Sequence, residues 1–446
     1  MAELRREIGL WRGVALNMID MVGIGPFITI PLILSALGGS RAMLAWILGA
    51  LLALADGLVT AELSAELPAS GGSYVFLREA YGAARWGRLI SFLFLFQILF
   101  SAPLSIASGS IGFAQYLSYL LPGAAARTSL VAALVCLATV ALLFRRIGSI
   151  GKFSILLWAG VMATVALVIL AGLPHLNLGA FAFWKAPRLD GRAGFAGLDA
   201  ALLFAVYDYL GYYNICYLGD EIRDPAKTIP RVIVISILAI AGIYILMNAC
   251  LVSVLPMRTA MVSRSVVADY LAVLMGPRAA RLVTLLILWT AFASIFSLML
   301  GYSRILYAAA RDGNFFGIFA RLHPTGAFPY VALLALGLAG AIFCFLPLPT
   351  VIKGIISIRA LIPFIAQIVG AVVLRRRFPQ GSRPFRMWLY PLPVILALGL
   401  WSYVAFSPQK GLKLAAAEVM GAGALFFLGR SLLLSEWPFQ RKKATP

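Results

Sequence analysis

Twelve apolar runs of about 20 residues follow one another along this chain, and that is the length a helix needs to cross a bilayer. They lie near 14–37, 42–67, 89–121, 129–146, 150–173, 199–218, 231–255, 281–310, 329–347, 350–374, 389–406 and 411–435. The runs predict an all-α polytopic membrane protein with 12 transmembrane helices. Composition agrees: 62% hydrophobic residues, 12% charged and a mean hydropathy of +0.95 exclude an ordinary soluble enzyme, in which about a quarter of residues are charged. The net charge of +20 would suit nucleic acid, but the basic residues lie in short clusters between apolar runs. The expected partner is therefore the lipid bilayer, with no nucleic acid. Met1 to Arg12 is a short charged tail, and the run after it is too long for a signal-peptide core. Cys136, Cys216, Cys250 and Cys344 stand singly in apolar runs. They have no metal spacing and read as small core residues.

With an even number of spans both ends of the chain share a side, and the Lys/Arg distribution decides which. Of the 37 basic residues, one side carries 24, in clusters such as Arg5, Arg6 and Arg12; Arg145, Arg146 and Lys152; and Arg375, Arg376, Arg377, Arg383 and Arg386. The other side has 12, including Lys185, Arg188 and Arg192, while Arg359 falls inside a span. Positive charge accumulates inside, so both termini are expected to be cytoplasmic, in the cell (plasma) membrane.

The run at 14–37 contains Gly23, Gly25 and Pro26. Glycine is costly in a helix interior and proline removes an amide and clashes with the preceding turn, so these residues predict a break halfway across the membrane. A packing glycine pair with a proline kink would leave the same trace. Irregular backbone at membrane depth is tolerated only where protein or a water-filled cavity satisfies its polar groups. The run at 199–218 carries a second interruption at Tyr207-Asp208-Tyr209-Leu210-Gly211-Tyr212-Tyr213-Asn214. Two segments too short to cross, Tyr74 to Gly82 and Val266 to Gly276, follow the second and seventh spans on opposite sides. Spans 1–5 and 6–10 thus read as a 5+5 inverted repeat with broken helices 1 and 6, plus helices 11 and 12. Paired interruptions of this kind point to a transporter's binding site. The expected divisions are a tail at 1–13, helices 1–5 at 14–173, an extracellular loop at 174–198, helices 6–10 at 199–374, helices 11–12 at 375–435, and a second tail at 436–446.

At the first break, the half-helix restarting near Ile24, Gly25 and Phe27 offers free amides and a positive dipole end, which suit a carboxylate. The preceding end, near Asp20 and Met21, offers carbonyls suited to an ammonium group, and Tyr207 to Leu210 should offer more. An α-amino acid has both groups on one carbon. Asp20, Asp56, Glu62 and Asp208 are acidic residues within spans, where charge is expensive and serves a cavity, a partner or a proton path. Asp208 sits at the second interruption and is the strongest candidate to face a bound amine or a cationic side chain; the alternative is a carboxylate neutralised by protonation or paired with a basic side chain. Asp56, nearer mid-span, is a candidate for titration, and Glu62 for a structural role. Arg359 is expected to pair with Asp20, Asp56 or Asp208, or instead to join a substrate carboxylate site. Tyr207, Tyr209, Tyr212 and Tyr213 are candidate gating residues or ordinary core aromatics. His175 and His323 read as surface residues. No phosphate-binding loop, zinc ligand set or nucleophile elbow occurs, so neither a cofactor nor catalysis is expected, and transport would be secondary.

Several motifs then occur in a telling order. Gly23-Ile24-Gly25-Pro26-Phe27 is followed by Ala61-Glu62-Leu63 with Pro68, Gly71-Gly72 and Tyr74. Next come Asp220-Glu221-Ile222-Arg223-Asp224-Pro225 with Ile229-Pro230-Arg231, then Ser303-Arg304 with Tyr307, Ala310-Arg311-Asp312-Gly313, His323-Pro324 and Pro329. Leu374-Arg375-Arg376-Arg377 with Arg383-Pro384-Phe385 closes the series. In this order the chain resembles, over nearly its whole length, the amino acid/polyamine/organocation transporter superfamily, which has the leucine-transporter fold. The resemblance implies that amides around Ile24 and Gly25 hold a substrate carboxylate, and that carbonyls near Asp20, Met21, Tyr207 and Leu210 hold an amine. It places Tyr207 on an aromatic gate and Gly211 on the glycine where helix 6 unwinds.

Three departures stand out. Pro26 replaces an aliphatic residue, which brings Gly25-Pro26-Phe27 closer to the eukaryotic polyamine-uptake branch, and Asp208 stands where a small residue is common, which also suggests a cationic cargo. Helix 5, Phe153 to Leu173, has no internal lysine to fill a former sodium site, because Lys152 lies at its end. Ser294 and Ser297 are candidate remnants of a sodium site. The resulting expectation is a small-molecule permease for an amino acid, or alternatively a polyamine, working by exchange or with H+ or Na+. A channel or non-transporting scaffold built from the same helices is the rival class.

Overall fold

The structure, a computed structural model, describes residues 6, 8–37, 41–69, 71–144, 150–181, 191–324, 328–377, 384–406 and 410–439. Of the basic residues counted for sidedness, Arg5, Arg145, Arg146, Lys185, Arg188, Arg383, Arg441, Lys442 and Lys443 lie outside the described residues, as do the side chains of Lys152, Arg192 and Lys410. Part of the loop expected at 174–198 lies outside them too.

The apolar runs form helices. Those that concern the site are Leu10–Met21 (α1), Gly25–Leu37 (α2), Ala42–Glu66 (α3), Ser73–Ala80 (α4), Trp86–Leu120 (α5), Thr128–Leu143 (α6), Ile150–Gly172 (α7) and Gly191–Tyr209 (α8). The second half supplies Pro225–Val254 (α9), Met257–Val262 (α10), Val266–Arg311 (α11), Tyr330–Phe343 (α12), Leu348–Arg359 (α13), Gln367–Arg377 (α14), Leu392–Phe406 (α15) and Lys410–Leu433 (α16). Among the described residues, eight helices are long and apolar enough to cross a membrane, and α1 with α2 makes a ninth span bent by 45°. Two shorter apolar helices, α12 and α15, accompany them. Leu134, Leu282, Leu285, Ile395 and Leu425 are exposed on these helices. On a membrane protein such side chains meet lipid, which has no quarrel with apolar surface.

Both short segments form helices, too short to span a bilayer. The first ends as α4 and is followed by Gly82 at φ +88°. The second is the opening of α11, which breaks at Gly276 with φ +83° before resuming at Pro277. A left-handed residue turns the chain sharply, and glycine adopts it without a Cβ penalty. Helices from the two halves pack against one another: α3 lies along α9, α5 along α11, and α2 along α8. Other contacts come in matched sets, with α5 touching α6 and α12, and α11 touching the same two helices.

Glu62 has the structural role expected of it. Its carboxylate takes two hydrogen bonds from Arg375, at 2.5 and 2.6 Å, and one from the Met387 amide at 2.7 Å. Arg375 also lies 3.8 Å from the centre of the Tyr390 ring, which ties α3 to α14 and the segment after it. The four cysteines are buried and free. His175 is exposed, as expected. His323 differs: its ring stacks on Phe328 at 4.9 Å and meets Phe144 and Tyr330 edge-on, and its amide donates to the Phe328 carbonyl at 2.8 Å. Among the described residues the only β pairing is a bridge between Ile8 and Ile222. There the Ile8 amide donates to the Glu221 carbonyl at 3.0 Å, and the Arg223 amide to the Ile8 carbonyl at 2.9 Å.

Candidate binding site

Helix α1 ends at Met21, and the chain runs through Val22, Gly23 and Ile24 in non-helical geometry before α2 restarts at Gly25. Helix α8 ends at Tyr209, and the chain turns at Gly211, φ +111°, before a 3-10 helix over Asn214–Glu221. The two breaks touch. A Cβ added to Gly211 would lie 2.9 Å from the Asp20 carbonyl oxygen and 3.2 Å from the Met21 nitrogen. Only a residue that tolerates positive φ and has no side chain fits between the two strands of backbone.

A tyrosine on a third helix fastens the two breaks. The Tyr244 hydroxyl, on α9, donates to the Met21 carbonyl at 2.7 Å and lies 3.3 Å from the Asp208 carbonyl. Tyr244 is fully buried, against Trp46 and Tyr209. It thus satisfies a carbonyl that the end of α1 leaves without an intrahelical partner. Tyr116, on α5, does the same for the restarted helix by donating to the Phe27 carbonyl at 2.8 Å.

Between the breaks lies a cavity of about 50 Å³, room for a few water molecules in this conformation. All nine residues expected to touch substrate border it: Asp20, Met21, Gly23, Ile24, Gly25, Tyr207, Asp208, Leu210 and Gly211. Asp208 accepts a 2.5 Å hydrogen bond from Thr29 on its Oδ2. Its Oδ1 is buried without a hydrogen-bond partner, 2.5 Å from where a Gly25 Cβ would stand. The carboxylate therefore sits beside the start of α2, the positive end of that half-helix. Asp20 accepts from Ser297 at 2.5 Å. Tyr207 shares a 2.8 Å hydrogen bond with Ser108 of α5, which links one break to the wall opposite.

The remaining candidates divide. Ser294 borders the cavity, its Oγ 2.5 Å from the position of a Gly23 Cβ, whereas Ser297 acts behind the wall through Asp20. Asp56 is away from the cavity and holds the Tyr212 hydroxyl. Of the four tyrosines, Tyr213 joins Tyr207 at the cavity, while Tyr209 donates to the Trp46 carbonyl at 3.2 Å within the helix packing.

Arg359 corrects an expectation. Among the described residues it makes no ion pair with Asp20, Asp56 or Asp208. Its guanidinium donates instead to Tyr302 at 2.7 Å, Ser105 at 3.0 Å, the Ser101 carbonyl at 3.2 Å and Tyr213 at 3.3 Å. Counting charges suggested pairing, but the fold brings it hydroxyls from α5 and α11 and leaves the carboxylates to Ser297, Thr29 and Tyr212. Ser105, Gly109, Leu298 and Tyr302 also line the cavity and were not singled out from the sequence. Serines and a lone tyrosine in apolar runs carry no local signal.

Two interrupted membrane helices that meet around a buried polar cavity are the construction of a secondary transporter. The sequence model of the family described as "Amino acid permease" matches residues 8–427, and the chain belongs to that family. It is 24% identical to the serine/threonine exchanger SteT of Bacillus subtilis (strain 168), over 99% of this chain and 98% of that protein. It is 26% identical to the Asc-type amino acid transporter 1 of Mus musculus, over 90% of this chain and 76% of the relative. With the large neutral amino acids transporter small subunit 2 of the same species the identity is 25%, over the same shares. The chain is a multi-pass membrane protein, and its relatives are transporters, not enzymes.

Proposed function

We propose that this permease moves an α-amino acid by alternating access, around a site formed where α1 and α2 meet the end of α8. The contact of Gly211 with the Asp20 carbonyl carries the reading, since it puts two sets of backbone groups freed from helical bonding around one cavity. In this proposal the amides of Ile24 and Gly25 hold the cargo carboxylate. The carbonyls of Asp20, Met21, Tyr207 and Leu210 hold its ammonium, Asp208 adds charge, and Tyr207 closes over it. The match to a protein named as an exchanger supports exchange as the mode. Nothing in the relatives named above favours a polyamine.

The layout we propose has twelve spans, with helices 1–5 and 6–10 as inverted repeats. The matched packing of α5 and α11 and the paired stops at Gly82 and Gly276 support it. The basic-residue count supports cytoplasmic termini and the plasma membrane. Counterflow in proteoliposomes tests the function. Unlabelled amino acid inside should accelerate saturable uptake of label from outside. Flux that rises linearly with concentration and ignores the internal pool would indicate a channel instead.

A further inference from the structure

Arg359 is buried, at 5% exposure, and it lines the same cavity. Every group that holds it is neutral: three hydroxyls and one backbone carbonyl. It also lies 5.4 Å from the centre of the Tyr302 ring. A cation at membrane depth is expensive and is ordinarily paired with an anion. Here the protein fixes the charge in place from α5, α11 and the turn after Gly211, yet among the described residues no carboxylate reaches it. Immediately after Arg359 the helix widens into a π-helical stretch over Ala360–Ala366 that includes Pro363. Such widened turns concentrate at functional sites.

The charges around the cavity are sorted. Asp20 and Asp208 stand at the helix breaks, each with a hydroxyl donor of its own. Arg359 is held from α5 and α11 instead. Asp20, Asp208 and Arg359 border one cavity, so a cargo whose ammonium is held at the breaks has a cation as well as the two carboxylates within the same lining. A planar carboxylate is the group that a guanidinium fork matches best.

We propose that Arg359 anchors an acidic side chain of the cargo, which makes dicarboxylic α-amino acids the preferred substrate class. This rests on the reading of the cavity as the transport site. The test is uptake of labelled L-aspartate, L-glutamate, L-asparagine, L-glutamine and L-lysine by the purified protein in proteoliposomes. Wild type should take up the acids at least tenfold more efficiently than their amides or lysine. Arg359→Gln should remove that preference by lowering uptake of the acids at least tenfold more than it lowers that of the amides. Arg359→Lys should retain part of it. Equal or better uptake of the amides or lysine by wild type overturns the proposal, as does an Arg359→Gln protein in which acids and amides lose uptake in the same proportion. If Arg359→Gln fails to fold, thermal stabilisation of wild type decides: greater protection by the acids than by their amides supports the proposal, and equal protection overturns it. A wild type that moves no amino acid at all overturns the carrier reading and this proposal together. One that moves amino acids without regard to the acid group overturns this proposal alone.

Discussion

Gly211 and Asp20, 191 positions apart in the sequence, lie so close that a single methyl on the first would press on the carbonyl of the second at 2.9 Å. Alanine at a left-handed position costs about 1–2 kcal/mol before any collision is counted. Gly211→Ala should therefore spread the two breaks and reduce counterflow at least tenfold, with the protein still entering the membrane. Unchanged exchange kinetics would show that the contact is incidental.

Tyr244 was not anticipated, and removing its hydroxyl is a clean test. Tyr244→Phe keeps the ring against Trp46 and Tyr209 and strips one hydrogen bond from the Met21 carbonyl. The loss is worth about 1 kcal/mol, or more if the carbonyl stays dry. A fall of a few degrees in apparent Tm, with a slower exchange rate, is expected in a detergent thermal-unfolding assay and a proteoliposome assay run in parallel.

Asp208→Asn preserves an oxygen to accept from Thr29 while replacing the ionisable carboxyl group beside Gly25 with a neutral amide. Folding should be retained. A hydrogen bond to a charged group is worth about 1.5–3 kcal/mol, so KM for amino acids should rise roughly tenfold or more as the ammonium loses its counter-charge. Initial-rate uptake across a concentration series measures it, and an unaltered KM would remove Asp208 from the site.

Glu62 and Arg375 form a two-bonded ion pair in which the carboxylate is 2% exposed and the guanidinium 15%. Breaking a buried pair on one side costs about 3–5 kcal/mol, and the partly exposed arginine places this one at the low end. Glu62→Gln should lower thermal stability more than the Glu62→Gln/Arg375→Gln double variant does relative to Arg375→Gln alone. Additive losses across that cycle would mean that the two side chains act independently.

The two breaks were legible because glycine, proline and an aspartate are conspicuous inside apolar runs, where nearly every other residue is interchangeable to a lipid. The short helices were legible for a similar reason, since Tyr74 to Gly82 and Val266 to Gly276 are too brief to span. Tyr244, Tyr302 and Ser105 were not, because a hydroxyl in an apolar run matters only through the distant segment it meets. Arg359 was noticed and its surroundings were misjudged. Opposite charges suggest a pair on paper, but whether they meet depends on which faces of α5, α11 and α13 turn inward.

The bridge at Ile8 has a mechanical consequence. Two peptide hydrogen bonds clasp the residues just before the first half-helix to those just after the second interruption, so at that end the pair behaves as one lever with two arms. Any motion that parts the arms there must first undo the clasp, and any motion that leaves it fastened swings both together. The segment from Ile8 to Leu10 is therefore tied to both interrupted helices at once, by chain continuity to the first and by peptide hydrogen bonds to the second.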